Sequence, residues 1–160
     1  MQVLQIYKRG LIAAAIFSAI ALFTGCTKDE PGLNVALSYS ISGNANSGQA
    51  VPKNNSGGTG TITGTYNAST KVMTYTSTWS NLTSAPLAGG LYTGASGVVG
   101  TSITAWNLGT GLSASGSFST STTLSATQET ELLAGRVYYI LTTTANASGE
   151  IRGQVTATAQ

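Results

Sequence analysis

Arg136-Val-Tyr-Tyr-Ile-Leu-Thr-Thr-Thr-Ala-Asn-Ala-Ser-Gly-Glu-Ile-Arg-Gly-Gln-Val-Thr-Ala-Thr158 is the stretch on which the fold turns. Two runs rich in β-branched and aromatic residues, 136–144 and 150–158, flank Ala145-Asn-Ala-Ser-Gly149, which has turn chemistry. The pattern predicts a β-hairpin built from the two strongest strands of the chain. On a strand, residues i and i+2 share a face. Glu150 and Arg152 therefore fall together, while Ile151, Gly153 and Val155 face the other way. One reading of the two charges is a surface ion pair, worth roughly 0–1 kcal/mol. The other is that Arg152, with its fork of N–H donors, tacks a neighbouring loop to the sheet through carbonyls. A structural role is expected over ligand binding, because glycine-flanked strand ends mark close backbone packing.

Upstream, Thr127-Gln-Glu-Thr-Glu-Leu-Leu-Ala134 is rich in helix formers and is followed by Gly135, which predicts a short helix with a glycine stop. Leu132 and Leu133 are expected to dock it on the sheet. Further strand candidates are 101–108, 114–119 and 121–125. Val35, Leu37, Tyr39 and Ile41 alternate with small residues, the period of a half-buried strand. Ile62, Gly64 and Tyr66 alternate with threonines, as do Met73, Tyr75 and Trp79 with Ser77 interrupting. Asn67-Ala-Ser-Thr70 between those two runs reads as a hairpin turn. This periodicity argues against a low-complexity stalk, although Ser, Thr, Gly, Ala and Asn dominate. The expected fold is all-β: an antiparallel sandwich or partly closed barrel of about 7–9 short strands with one short helix near 127–134.

The beginning of the chain reads differently. Lys8 and Arg9 precede an uncharged run from Leu11 to Phe23, thirteen residues long. A membrane-spanning helix needs roughly 20 apolar residues, so the run has the length and flanks of a secretory signal. It ends in Leu22-Phe-Thr-Gly-Cys26, which resembles a bacterial lipobox. That resemblance implies that residues 1–25 are a lipoprotein signal peptide and that Cys26, the chain's one cysteine, carries lipid, palmitate included, anchoring it to the membrane. Residues 26–34 then form the lipidated cysteine and a flexible tether broken by Pro31-Gly32. The run Lys28-Asp29-Glu30 resembles the export signal of Bacteroidetes lipoproteins. It implies display on the outer face of the outer membrane, with the periplasmic face as the alternative. Residues 35–160 are the folded domain, large enough for one core.

Within that domain, Tyr138-Tyr-Ile140 followed by Gly149-Glu-Ile-Arg-Gly-Gln-Val155 resembles the closing motif of the CHRD domain, the module named from chordin. Upstream matches follow the family's order: Ser42-Gly43 with Val51-Pro52, Gly58-Thr-Gly-Thr61, Thr74-Tyr-Thr76, Asn81-Leu-Thr83, and Leu124 through Gly135. The resemblance covers roughly residues 37–156, and Gly149-Glu150-Ile151-Arg152-Gly153-Gln154 is its most specific part. It implies a β domain. Members often carry His-x-His near Gly90-Leu91-Tyr92 and a histidine near Thr142, whereas this chain has no histidine. Metal or proton chemistry resting on those histidines does not transfer.

The side-chain inventory excludes several functions. Beyond residue 25 there are five basic residues (Lys28, Lys53, Lys71, Arg136, Arg152) and five acidic (Asp29, Glu30, Glu129, Glu131, Glu150). That balance gives no electrostatic footprint for nucleic acid. A nucleophilic hydrolase lacks its histidine base. Glycosidase carboxylates have no pairing, since Glu129 and Glu131 diverge on a helix and Glu150 is alone. The sequence thus predicts no enzyme, no cofactor and no transition-metal site, with calcium less firmly excluded. Tyr92, Trp106 and one of Tyr138 and Tyr139, which as neighbours on a strand point to opposite faces, remain as candidates for a ligand patch facing an extracellular protein or glycan, against the alternative that the aromatics, the tryptophans above all, fill the core. The expected function is a lipid-anchored, non-enzymatic binding or structural module. The alternatives are an envelope enzyme or metal-dependent protein with an unseen site, and a passive surface-coat spacer.

Overall fold

The computed structural model describes residues 37–160. The expected signal peptide, Cys26, the expected tether and Lys28, Asp29 and Glu30 lie outside the described residues. Within them the order is β1 (Ser38–Asn46), a 3₁₀ turn (Ser47–Gln49), β2 (Thr59–Asn67), β3 (Val72–Ser80), β4 (Ala88–Thr93), β5 (Thr101–Ala105), β6 (Gly116–Thr123), α1 (Ala126–Leu133), β7 (Val137–Thr142) and β8 (Ile151–Ala159). All eight strands join one antiparallel sheet in the order β5-β4-β7-β8-β1-β2-β3-β6, which curls into a nearly closed, barrel-like form.

The period-2 alternation sorts side chains to the two faces. Ile41, Ile62, Tyr66, Met73, Tyr75 and Trp79 point inward and are buried. The outward positions of β1, β2, β3 and β6 are mostly hydroxyls in cross-strand rows, with Asn44, Asn46, Asn67 and Val72 toward the strand ends. Ser42, Thr63, Thr76 and Ser119 share one row. Within the rows Thr61 bonds Thr78 at 2.7 Å and Thr76 bonds Ser119 at 2.8 Å. Ser77, on the inward face of β3, is fully buried, and its hydroxyl has no hydrogen-bond partner among the described residues.

An indole spans the gap between the two edge strands. Trp106 follows β5, where its backbone N–H donates to the Gly89 carbonyl at 2.8 Å and ends the ladder. Its ring stacks 5.4 Å from Phe118 of β6, and its Nε1 donates to the Tyr75 hydroxyl on β3 at 2.9 Å. Burial pushes the Tyr75 hydroxyl up to about 12 against the indole's opposing hydrogen bond. It therefore stays neutral, as a closure contact in an apolar interior requires.

The helix forms where expected. Ser125 caps it in a reciprocal capping box with Gln128. At its end, the Arg136 N–H returns to the Glu131 carbonyl at 2.8 Å and the Gly135 N–H to that of Leu132 at 3.0 Å, the Schellman pattern. Glu129 ties the helix to the β2–β3 hairpin, accepting from the Tyr66 hydroxyl at 2.8 Å and pairing with Lys71. Those hydrogen bonds, with the Lys71 ammonium foremost, hold the Glu129 carboxyl below the usual range.

Three expectations need correction, and one strand was not expected at all. Leu132 is buried, but Leu133 is 43% exposed; adjacent helical residues point about 100° apart, so one of them faces the sheet. The candidates 114–119 and 121–125 are one strand, β6, because its alternation runs on without a turn. The strand expected over 101–108 stops at Ala105, where Trp106 turns inward. The glycine-rich stretch holding Tyr92 forms β4, paired with β5 on one side and β7 on the other.

Candidate functional site

β8 lies in the middle of the sheet, between β7 and β1. Glu150 immediately precedes it, its backbone N–H bonded to the Leu141 carbonyl at 2.8 Å. The Glu150 side chain is fully buried. Oε1 accepts from Ser56 Oγ at 2.5 Å and from the Thr83 backbone N–H at 2.7 Å. Oε2 accepts from Thr83 Oγ1 at 2.6 Å and from Thr143 Oγ1 at 2.5 Å. Burial alone would push this carboxyl up, but the bonds from Ser56, Thr143 and Thr83 outweigh it and hold the group below the usual carboxylate range. One carboxylate thus fastens the segments before β2, after β3 and after β7. Asn54 adds two donations from the same side, to the Gly149 and Glu150 carbonyls at 3.1 and 3.0 Å.

Arg152 and Gln154 fasten a different loop. Arg152 Nη2 donates to the Ala95 carbonyl at 2.8 Å, and Gln154 Nε2 donates to those of Gly94 at 2.7 Å and Gly135 at 3.0 Å. From β7, the Tyr138 hydroxyl accepts the Gly100 N–H at 3.2 Å. The segment from Gly94 to Gly100, which links β4 to β5, is held at both ends by this face of β7 and β8. The glycines of the motif make this possible. Gly149 has φ +132°, and a Cβ there would meet Ile140 Cδ1 at 2.4 Å. A Cβ on Gly153 would stand 2.7 Å from the Asn44 carbonyl oxygen and from Tyr139 Cε1.

The ion-pair reading of Glu150 and Arg152 is therefore corrected. Among the described residues the ion pairs are Lys71–Glu129 and Arg136–Glu131. Glu150 and Arg152 are both buried, and each is engaged by its own loops rather than by the other. The tacking of a loop by Arg152 through a carbonyl is what the structure contains.

Beside this clasp lies a depression of about 370 Å³, lined among others by Val51, Tyr92, Val99, Tyr138, Ile140 and Arg152. Tyr92 is half-buried there and stacks on Tyr138 with ring centroids 5.4 Å apart and planes 15° apart. The Arg152 guanidinium carbon sits 3.5 Å from the Tyr138 ring centroid, a cation–π contact. Trp106 is absent from this place. It is 7% exposed and belongs to the barrel core, stacked on Phe118 and on Tyr139. Tyr92 and Trp106 consequently do not form one patch, because closing the barrel draws the indole inward.

Gly90 and Tyr92, near which the resemblance implies histidines, pair with Ile140 and Tyr138 on the adjacent strand. Tyr92 and Thr142 both line the depression. The side chains here bring no imidazole, thiolate or carboxylate to it. Among the described residues no cluster of three His, Cys, Asp or Glu exists to hold a metal ion. The donor set does not fit a transition metal. Thr83 and Gln154 are named from sequence only inside matched strings, without partners, and Ser56 and Thr143 are not read there as partners of Glu150, because hydroxyls are everywhere in this composition and Ser56 and Thr83 meet Glu150 across 94 and 67 residues.

No curated protein and no solved structure matches the chain. The family model for the CHRD domain matches residues 41–155, a span that runs from β1 into β8 and contains every residue of the clasp. With nearly the whole described domain inside that match, the chain belongs to the CHRD domain family.

Proposed function

We propose that this chain is a non-enzymatic recognition module of the cell envelope, presented on a lipid carried by Cys26. The observation that carries the reading is the use made of the closing motif. Its one acid and its one base are occupied in fastening loops, Glu150 by four donors and Arg152 by a carbonyl and a ring. An acid–base catalyst must hold a proton it can exchange with substrate, whereas these groups hold backbone in place. The result is a rigid platform around a depression, the form of a binding site. The lipobox and the neutral charge balance of the chain beyond residue 25 support presentation at a membrane, with an extracellular protein or glycan as partner and no role for nucleic acid.

Cys26→Ala should abolish incorporation of labelled palmitate and leave an unprocessed precursor; equal labelling of mutant and wild type would sink the anchor. An impermeant protease added to intact cells should remove the domain, and alanine at Lys28, Asp29 and Glu30 should protect it without changing lipidation. Digestion of the wild type only after lysis would move the module to the periplasmic face. A passive spacer is the second reading, favoured by the uncharged hydroxyl rows on β1, β2, β3 and β6.

A further inference from the structure

We propose that the depression beside Arg152 binds a small organic carboxylate with an apolar body. This deepens the recognition reading above and rests on it. Arg152 is 2% exposed and lines the depression, yet no carboxylate among the described residues stands within ion-pair distance of it. A guanidinium on a side chain this covered normally meets an acid, and its nitrogens without a protein bond are not sealed from solvent, since the buried unpartnered polar atom among the described residues is Ser77 Oγ. Here it makes one side-chain hydrogen bond to protein, from Nη2 to the Ala95 carbonyl, and one contact with the Tyr138 ring. Its other N–H groups have no acceptor among the described residues, and a planar guanidinium is shaped to grip a carboxylate.

The walls say what the carboxylate is attached to. Val51, Val99 and Ile140 give aliphatic surface, and Tyr92 stacked on Tyr138 gives a flat aromatic one. A volume of about 370 Å³ falls in the range of small-ligand sites, where apolar walls supply contact and a few polar groups fix orientation. The nearest carboxylate of the motif, Glu150, already accepts from four donors and is not available to compete for Arg152. Burial lowers the Arg152 pKa, and the neighbouring Tyr138 works against that fall. An arriving anion would offset the same burial.

The test uses the full-length chain in detergent micelles, with benzoate as probe and benzamide as its uncharged isostere. Amide shifts of the Gly94–Gly100 segment, which Arg152 and Tyr138 hold, report occupancy at the site. Benzoate should shift them saturably in the millimolar range, and benzamide should bind at least about tenfold more weakly, the loss expected for a charge-assisted bond. Arg152→Gln should reduce benzoate affinity by a similar factor. Because that change also loosens the loop, Thr142→Trp is the second variant; it fills the depression from β7 and leaves the clasp intact. Equal binding of benzoate and benzamide would overturn the proposal, as would wild-type affinity in Thr142→Trp or no saturable shift at all. None of these outcomes bears on Cys26, so failure of the ligand assignment stays separable from failure of the anchored-module reading, which palmitate labelling decides.

Discussion

Replacing Glu150 by glutamine keeps the shape of the side chain, removes its charge and turns one acceptor oxygen into a donor. The glutamine has a satisfied orientation. Its oxygen takes the Oε1 place, facing Ser56 Oγ and the Thr83 N–H, and its NH₂ takes the Oε2 place, facing two hydroxyls that can rotate to accept. What is lost is the charge in four hydrogen bonds. Bonds to a charged group contribute about 1.5–3 kcal/mol against about 1 for neutral ones, a gross loss of about 4 kcal/mol. Relief of the carboxylate's desolvation returns part of it. The lowered pKa requires the hydrogen bonds to win over burial, so the net cost is about 2 kcal/mol near neutral pH, or about 8 °C in Tm for a domain of this size. A depressed pKa in the fold means that this stability is fully present above the unfolded value of about 4.3. It is lost as pH falls through the folded one. Denaturant unfolding followed by the fluorescence of buried Trp79 and Trp106 should therefore show a gap between wild type and Glu150→Gln that closes in acid. A gap of the same size at neutral and acid pH, or none at neutral pH, would refute the account of Glu150 as a charged fastener.

Gly153→Val should destabilise by about 3 kcal/mol, since even a Cβ meets the Asn44 backbone at 2.7 Å and overpacking costs about 1–3 kcal/mol; a melting temperature equal to wild type would contradict the close packing of β8 on β1. Ser77→Ala should raise stability by about 1 kcal/mol by removing a buried hydroxyl that has no partner, and a loss in thermal unfolding would mean that the hydroxyl is satisfied in solution. Elemental analysis of the purified chain should find no stoichiometric zinc or copper, because the depression offers no ligand of the kinds those metals prefer.

The sequence carried the sheet well where alternation was strong. Tyr66, Met73, Tyr75 and Trp79 announce the inward face of the β2–β3 hairpin, and the structure buries all four. β4 was illegible because Ala88-Gly-Gly-Leu-Tyr-Thr93 has the composition of a loop; its strand character comes from β5 and β7 on either side. Trp106 could be named as a large aromatic but not placed, since bridging two edge strands is a property of the closed sheet. The clasp was half legible. Loop fastening by Arg152 was one of two readings, drawn from its fork of donors beside that of a surface ion pair, whereas Glu150 gave no hint of its partners. Ser56 and Thr83 lie 94 and 67 residues away, and a carboxylate specifies a cluster of hydroxyls without specifying which ones.

Why one short string should be the most specific part of the domain follows from where it sits. β8 has neighbours on both edges and covered residues on both faces, so the sheet leaves few of its positions free. Inward, Ile151 and Val155 are buried among apolar neighbours, and Gly153 lies where Asn44 and Tyr139 leave no room for a Cβ. On the other side Arg152 and Gln154, and just before the strand Glu150, are long and polar because the segments they reach offer backbone groups and hydroxyls rather than apolar surface. A buried polar network is favourable when its members are satisfied and costly when they are not. Each change in the string therefore breaks a contact to a segment far away in sequence. Of the string's long polar side chains, Glu150 has no capacity left, Gln154 donates to two carbonyls, and Arg152 keeps N–H donors without a partner among the described residues, at the wall of a depression.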